Sequence, residues 1–455
     1  MKHRIKLTEK QLIELWQNSF QQGVMHLNMT FVFLVLSAIT CFAQDDVFDE
    51  DALFGDTATV IDSGIAVVDT GTMKDVQDEK TFGVSGEVTT VFQPSLTRAW
   101  FQEGQYPEDA VFSAFTMGAL FMDARLPGGF KAFANSEVRY DPVNDTLFFS
   151  MRELFLDANI KHRVYFRAGK QVLQWGRCFF WNPTDLINIE KKQFIRKIGS
   201  REGAYGLKMH IPFGTKANIY SYIDTRRINR LDSIAATAKF EFLVGGTEMA
   251  MSIWGKKGNK PVYAFDASGS LWNFLLCGEI ALFQEFTINK VSFNGEIPAF
   301  SSEVKNWLPR MSAGISRYFT VNGVPDRLMT TVEFYYNQPG SDLEDFPIPD
   351  DVVLNDTLAA ILIAGGLYEP NNFSRFYLSL FSSFSRFILS DMTLSVNAIG
   401  NLNQKCAMVT GALSYNSIHN FSLELLCTGY FGAKKTEYTI TGDGLQVQLT
   451  AGVAF

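Results

Sequence analysis

From Thr81 to Phe455 the chain alternates apolar and polar residues with a period of two, and this pattern constrains its fold more than any other feature. The final stretch, "DGLQVQLTAGVAF", shows it plainly. Leu445, Val447, Leu449, Ala451, Val453 and Phe455 occupy one parity, and Gln446, Gln448, Thr450, Gly452 and Ala454 the other. A β-strand sends successive side chains to opposite faces, so one face is greasy and the other polar or small. "AFTMGALFMDARL" likewise separates Ala114, Leu120, Met122 and Ala124 from Asp123 and Arg125. "FKAFANSEVRY" sets Lys131, Asn135, Glu137 and Arg139 against Phe130, Ala132, Ala134 and Val138. Most such segments run roughly 9–12 residues, the length a tilted membrane-spanning strand needs, whereas strands in soluble proteins more often have five or six.

The pattern predicts an all-β fold, a transmembrane antiparallel β-barrel of about eighteen strands, sixteen being the smaller alternative. If the first strand rises from the periplasm, the inward turns are compact: "LPGG", "KHR", "PFGT", "GG" and "VNGVPD". The outward loops include 93–110, 175–202, 287–306, 338–372 and 431–444, the asymmetry expected of a bacterial outer-membrane barrel. In lipid an unpaired sheet edge has no water to satisfy its N–H and C=O groups, so the last strand must pair with the first. The greasy face of the C-terminal strand then meets acyl chains, while Gln446 and Gln448 meet the lumen. The terminal Phe455 resembles the insertion signal of bacterial outer-membrane proteins, which implies the barrel-assembly machinery and outer-membrane lipid as partners.

Ahead of the barrel, "MTFVFLVLSAITCFAQ" is too short to span a bilayer as a helix and offers small residues before Gln44, so residues 1–43 read as a signal peptide. Either translation begins later, at Met25 or Met29, or the basic leader (Lys2, Arg4, Lys6, Lys10) is extended; "AITC" at Cys41 is a poor lipoprotein box. Residues 44–80 carry eleven acidic side chains against Lys74 and Lys80 and read as a flexible periplasmic segment. Their spacing fits no EF-hand loop. This segment accounts for the net charge of −8. The remainder is close to neutral, which gives no case for nucleic-acid binding. Export would permit disulfides, but Cys406 and Cys427 fall on opposite faces of neighbouring strands and cannot bridge. No cysteine pair has metal-ligand spacing, and nothing calls for a cofactor. The chain has no G-x-S-x-G, H-E-x-x-H or P-loop, so the sequence argues against an enzyme.

The most distinctive segment is "LFLDANIKHRVYFRAGKQVLQWGRCFFWNPTDLIN". With Leu154, Leu156, Ala158, Ile160, Val164, Phe166 and Ala168 all facing lipid, the hairpin turn must hold an odd number of residues, Lys161, His162 and Arg163. Asp157 then lies opposite Arg167, and Glu153 opposite Gln171, inside the lumen. Lys170 falls on the lipid side, which predicts a bulge at Gly169 or a place at the outer interface where it snorkels. The following loop, 175–202, is too long for a simple connection. Arg177, Lys191, Lys192, Arg196, Lys197 and Arg201 there outnumber Asp185, Glu190 and Glu202, and Trp175, Phe179, Phe180, Trp181 and Phe194 lie between. Cations beside aromatic rings suit anions or sugar rings; an extracellular cap touching outer-leaflet anions fits as well. "TRRINR" adds Arg226, Arg227 and Arg230 on the same side.

Over about forty residues this segment resembles outer-membrane porin-like and alginate-export-like barrels, which carry a Gly-Arg-Gln motif on a strand followed by Trp-Gly and later Asn-Pro. The matching residues are Gly169, Lys170, Gln171, Trp175, Gly176, Asn182, Pro183 and Asp185, with Lys170 in place of the usual Arg, which removes a bidentate anion contact. The resemblance implies transport of small solutes or of polysaccharide. By analogy with general porins, the third outward loop would narrow the pore. The expectation is an outer-membrane channel passing small hydrophilic solutes. Its lumen would be lined by Lys131, Glu137, Arg139, Glu153, Asp157, Arg167 and Gln171, and its constriction formed by Trp175, Arg177, Trp181, Lys191, Lys192, Arg196 and Lys197. A polysaccharide-export channel and a structural or adhesive barrel with a plugged lumen are the alternatives.

Overall fold

The computed structural model describes residues 81–97, 111–142, 145–173, 175–188, 203–226, 234–294, 297–344, 369–416, 420–440 and 443–455. The proposed signal peptide and acidic segment lie outside these residues. The site described below lies within one compact unit of the chain.

Among the described residues twenty strands follow in chain order. The first eleven are β1 (Thr81–Thr97), β2 (Val111–Leu126), β3 (Phe130–Asp141), β4 (Thr146–Ile160), β5 (Val164–Gln171), β6 (Ala204–Phe213), β7 (Ala217–Asp224), β8 (Ala235–Val244), β9 (Thr247–Lys256), β10 (Val262–Leu271) and β11 (Phe274–Phe283). They are followed by β12 (Phe286–Asn294), β13 (Ile297–Lys305), β14 (Leu308–Val321), β15 (Val324–Asn337), β16 (Phe376–Ser385), β17 (Met392–Asn401), β18 (Cys406–Asn416), β19 (Phe421–Phe431) and β20 (Asp443–Ala454). Eighteen of them form one closed antiparallel barrel. β11 pairs directly with β14, and β12 and β13 form a separate two-stranded sheet between them. That hairpin departs from the expected loop at 287–306. The Asn294-Gly295 dipeptide between two alternating runs is a hairpin signal that the loop assignment passed over.

β1 pairs with both β2 and β20, so the sheet has no free edge. The C-terminal residue completes this seam: Gly86 N donates to Phe455 O and Phe455 N to Gly86 O, each at 2.8 Å. A Cβ on Gly86 would come within 2.5 Å of the Phe455 ring, so the glycine is what lets that ring lie across β1.

Side-chain placement is inverted relative to a soluble protein. The exposed large apolar residues include Phe82, Val84, Leu154, Leu156, Leu449 and Val453, whereas Glu153, Asp157, Arg167, Asp266, Glu279 and Glu333 are buried. A hydrocarbon environment outside and a polar interior produce this arrangement; water outside would reverse it. The connections at one end are tight turns: 127–129, 161–163, 245–246, 272–273 and 322–323. Asn322 (φ 53°) and Gly323 (φ 75°) supply the two left-handed residues that a type I′ hairpin turn requires. Cys406 is buried and Cys427 exposed, in keeping with the opposite faces expected of them.

Candidate functional site: a loop folded into the barrel lumen

The β4–β5 hairpin has the register that parity demands. Ile160 pairs with Val164 around Lys161, His162 and Arg163, and Asp157 pairs with Arg167. The ion pair is bidentate, with Arg167 Nε and Nη2 donating to the two Asp157 oxygens at 2.7 and 2.8 Å, and the guanidinium lies 3.9 Å over the Phe155 ring. Glu153 accepts from Val172 N at 3.0 Å, and the Gln171 amide donates to the carbonyls of Arg167 and Gly206 at 3.3 and 3.4 Å. Nearby, Lys131 pairs with Asp123 at 3.2 Å, Glu137 with Arg152 at 3.1 Å, and Arg139 stands 3.9 Å over the Phe115 ring.

Lys170 does not owe its place to a bulge at Gly169, the first of the two expected alternatives. The β4–β5 ladder runs without a shift past Gly169, and the bulge lies one strand over, where Asn135 pairs with Glu153 but Ser136 with Met151. Arg152 is the extra residue. The Lys170 ammonium donates to the Met151 carbonyl at 2.7 Å, beside the interrupted ladder. Gly169 is nonetheless required, since its φ is 130° and a Cβ there would approach the Leu154 carbonyl to 2.2 Å.

After Gln171 the chain leaves the wall, and residues 175–188 fold into the lumen. Their backbone donors can be followed individually. Arg177 N and Cys178 N donate to Glu279 Oε1 on β11, and Thr184 N and Oγ1 to Glu279 Oε2. Phe179 N (2.8 Å), Phe180 N (3.1 Å) and Trp181 N (2.7 Å) all donate to the Glu333 carboxylate on β15. Asp185, Leu186 and Asn188 bond within the segment. Two wall carboxylates thus hold a stretch of chain that has no ladder of its own.

Side chains complete the seat. The Arg177 guanidinium meets Asp266, Glu248 and Glu241. Burial would lower its pKa, but these carboxylates more than offset that and raise it. Lys239 donates to Trp175 O at 2.9 Å. Trp181 stacks on Tyr335 with centroids 5.3 Å apart and planes 6° from parallel, and its Nε1 donates to Asn371 O at 2.8 Å. Phe179 lies 4.9 Å from Phe381 on β16. The Trp175–Gly176 and Asn182–Pro183 pairs meet here: a Cβ on Gly176 would fall 2.1 Å from Asn182 Oδ1, so only glycine admits that approach.

Two other long connections join the segment. Glu437, in the 3₁₀ turn Glu437–Thr439 between β19 and β20, accepts from Asn371 N (2.7 Å), Tyr377 Oη (2.8 Å) and Asn401 Nδ2 (2.8 Å). Tyr438 donates to Asn371 Oδ1 at 2.7 Å.

Of the expected constriction residues, Trp175 and Trp181 are buried in this assembly and Arg177 is half-buried. Lys191, Lys192, Arg196 and Lys197 lie outside the described residues, as do Arg227 and Arg230. Sequence reasoning missed the holders: Glu279 and Glu333, and the acidic set around Arg177. The available signal was one carboxylate in each of two otherwise uncharged runs, "LLCGEIALF" and "TTVEFYY". Among the described residues no group of three or more His, Cys, Asp or Glu is disposed to hold a metal ion. The carboxylates act here as acceptors that position a segment.

Fold and site together define a closed 18-stranded antiparallel barrel with a loop seated in its lumen. No family model and no curated protein matches the chain. Solved structures do. OccK2 (OpdF) of Pseudomonas aeruginosa, in complex with glucuronate, aligns with a TM-score of 0.51 at 9% identity, covering 82% of this chain and 98% of that one. The outer membrane protein OprD from Pseudomonas aeruginosa aligns with a TM-score of 0.50 at 8% identity, covering 83% and 96%. At these identities the likeness is one of fold.

Proposed function

We propose that the chain is a bacterial outer-membrane channel for passive diffusion of small hydrophilic solutes, anionic or sugar-like, through a lumen narrowed by the loop after β5. The observation that carries this reading is the double carboxylate seat. Glu279 and Glu333 draw residues 177–184 off the barrel mouth and hold them against the inner wall. The apolar exterior supports a place in lipid, and the fold of OprD, an outer membrane protein, supports the outer membrane in particular. The half-buried Lys131, Glu137 and Arg139 of β3 offer the solute contacts, beside the buried Glu153, Asp157 and Arg167, the last two in their own ion pair. Arg177, engaged by three carboxylates, positions the loop instead. Anion or sugar preference follows from the mixed cations and rings, and a barrel of this fold is known in complex with glucuronate, an anionic sugar. In this reading residues 1–43 are the export signal, 44–80 a periplasmic segment, and 81–455 the barrel.

Single-channel recording of the purified full chain in planar bilayers tests it. The expected result is an open pore whose anion preference is lost when Lys191, Lys192, Arg196 and Lys197 are replaced together by Gln. Conductance that appears only with an added polymer would favour polysaccharide export, and none under any condition a plugged barrel.

A further inference from the structure

The loop and the wall also meet through sulfur. Cys178 lies in the folded-in segment and Cys277 on β11, and their Sγ atoms are 2.9 Å apart, nearer than unbonded sulfurs pack. Both backbones are fixed. Cys178 N donates to Glu279 at 2.7 Å and the next amide, Phe179 N, to Glu333 at 2.8 Å, while Cys277 is paired in the ladder with Ser268 and Gly314. The space for the contact comes from Gly314, where a Cβ would fall 2.6 Å from Cys277 Sγ. The two remaining described cysteines are arranged otherwise, Cys406 being buried on β18 and Cys427 exposed on β19.

We propose that Cys178 and Cys277 form a redox modification site, at which an oxidant of the disulfide class links them and so locks the folded-in loop to the barrel wall. The inference rests on the reading of the chain as an exported barrel, since oxidising compartments are where such bonds persist. The step is thiol–disulfide exchange. The Cys277 thiol, the more accessible of the two, loses its proton and attacks one sulfur of the oxidant, whose other sulfur leaves as a thiol. Cys178 then loses its proton, attacks the mixed disulfide at Cys277 Sγ and expels the second oxidant thiol. Two protons and two electrons pass from the protein to the oxidant. The bond ties together residues 99 apart in sequence. The loop then stays in place when individual hydrogen bonds open.

The test uses the full chain, folded in detergent and treated with oxidised glutathione. Free thiols are then alkylated, and the protein is digested without reduction and mapped by mass spectrometry. The expected result is one peptide pair joined through Cys178 and Cys277, with alkyl label on Cys406 and Cys427, and separation of the pair by dithiothreitol. Cys178→Ser should leave Cys277 labelled and give no other linked pair. Label on both Cys178 and Cys277 after oxidation of the folded protein would overturn the proposal, as would linkage of either to Cys427. Proteolysis between residues 175 and 188 gives a second readout, faster in reduced than in oxidised wild type and insensitive to reductant in Cys277→Ser. The cross-link map requires no open pore. A barrel that conducts nothing leaves this inference standing, and a conducting barrel with both thiols free refutes this inference alone.

Discussion

Replacing Glu333 by Ala isolates the seat of the loop from the barrel that carries it. The side chain projects into the lumen and is fully buried, and its two oxygens accept from Phe179 N, Phe180 N and Trp181 N. The strand itself is held by backbone ladders to β14 and β16, which the substitution leaves in place. A hydrogen bond to a charged acceptor contributes about 1.5–3 kcal/mol. Three donors sharing one carboxylate are not additive, so a lower estimate for the set is about 3 kcal/mol. A loss of that size lets the 179–181 segment open roughly 10²-fold more often. Amide hydrogen exchange on the folded protein in detergent reads this directly. Protection of Phe179, Phe180 and Trp181 should fall by about two orders of magnitude in Glu333→Ala, while amides of the β14–β15 ladder keep theirs. Glu333→Gln retains one oxygen, and its amide group faces at least one N–H, so it should give an intermediate loss. Unchanged exchange at these three amides in a folded Glu333→Ala barrel would refute the assignment. Collapse of the whole barrel would refute it too, by showing that Glu333 supports the wall rather than the loop.

Two further outcomes follow from the same structure. Burial raises the Glu437 carboxyl to about 7, against the lowering effect of hydrogen bonds from Tyr377, Asn401 and Asn371 N. The folded turn therefore holds its proton more tightly than the unfolded chain. Its contribution to stability is full below the ordinary value of 4.5 and is lost as pH rises through about 7. Asn371 amide exchange should accordingly quicken between pH 5 and 8 beyond its intrinsic rate, on the order of 3 kcal/mol in all, and Glu437→Gln should remove that slope; a slope that survives the substitution would rule Glu437 out as its source. At the closing seam, Gly86→Val drives a side chain into the Phe455 ring. It should lower the yield of folded, heat-resistant barrel on electrophoresis, and Phe455→Ala in the same chain should recover part of it; no recovery would mean that the glycine serves something other than this contact.

The wall was legible because a strand offers a side chain only two directions. Once Leu154, Leu156 and Ile160 were assigned to the lipid side, the parity of the turn fixed Asp157 opposite Arg167, and the bidentate pair is there. The same logic recognised that Lys170 sat on the wrong side, and looked for relief in a bulge of the lysine's own strand or at the outer interface. The bulge lies instead at Arg152 between β3 and β4, and Lys170 donates to the Met151 carbonyl beside it. A bulge belongs to a pair of strands, and a pattern read along one strand does not say which neighbour carries the extra residue.

The contents of the lumen were less legible because parity says which residues face inward and nothing about what they meet. The logic that would have found the seat concerns matched deficits. A carboxylate among Leu, Phe and Tyr is costly to bury unless donors come to it. Glu279 and Glu333 sit on strands whose own N–H groups are used by the ladder, so those donors had to arrive from elsewhere in the chain. The segment "GRCFFWNPTD" has the complementary problem. It is too rich in bulky side chains to stay in water and too irregular to satisfy its own amides, and so needs acceptors in a dry place. Each side of the contact is unfavourable alone and favourable only when the loop enters the barrel. That mutual requirement is why the aromatic run folds inward rather than capping the mouth, and why the two glutamates hold backbone.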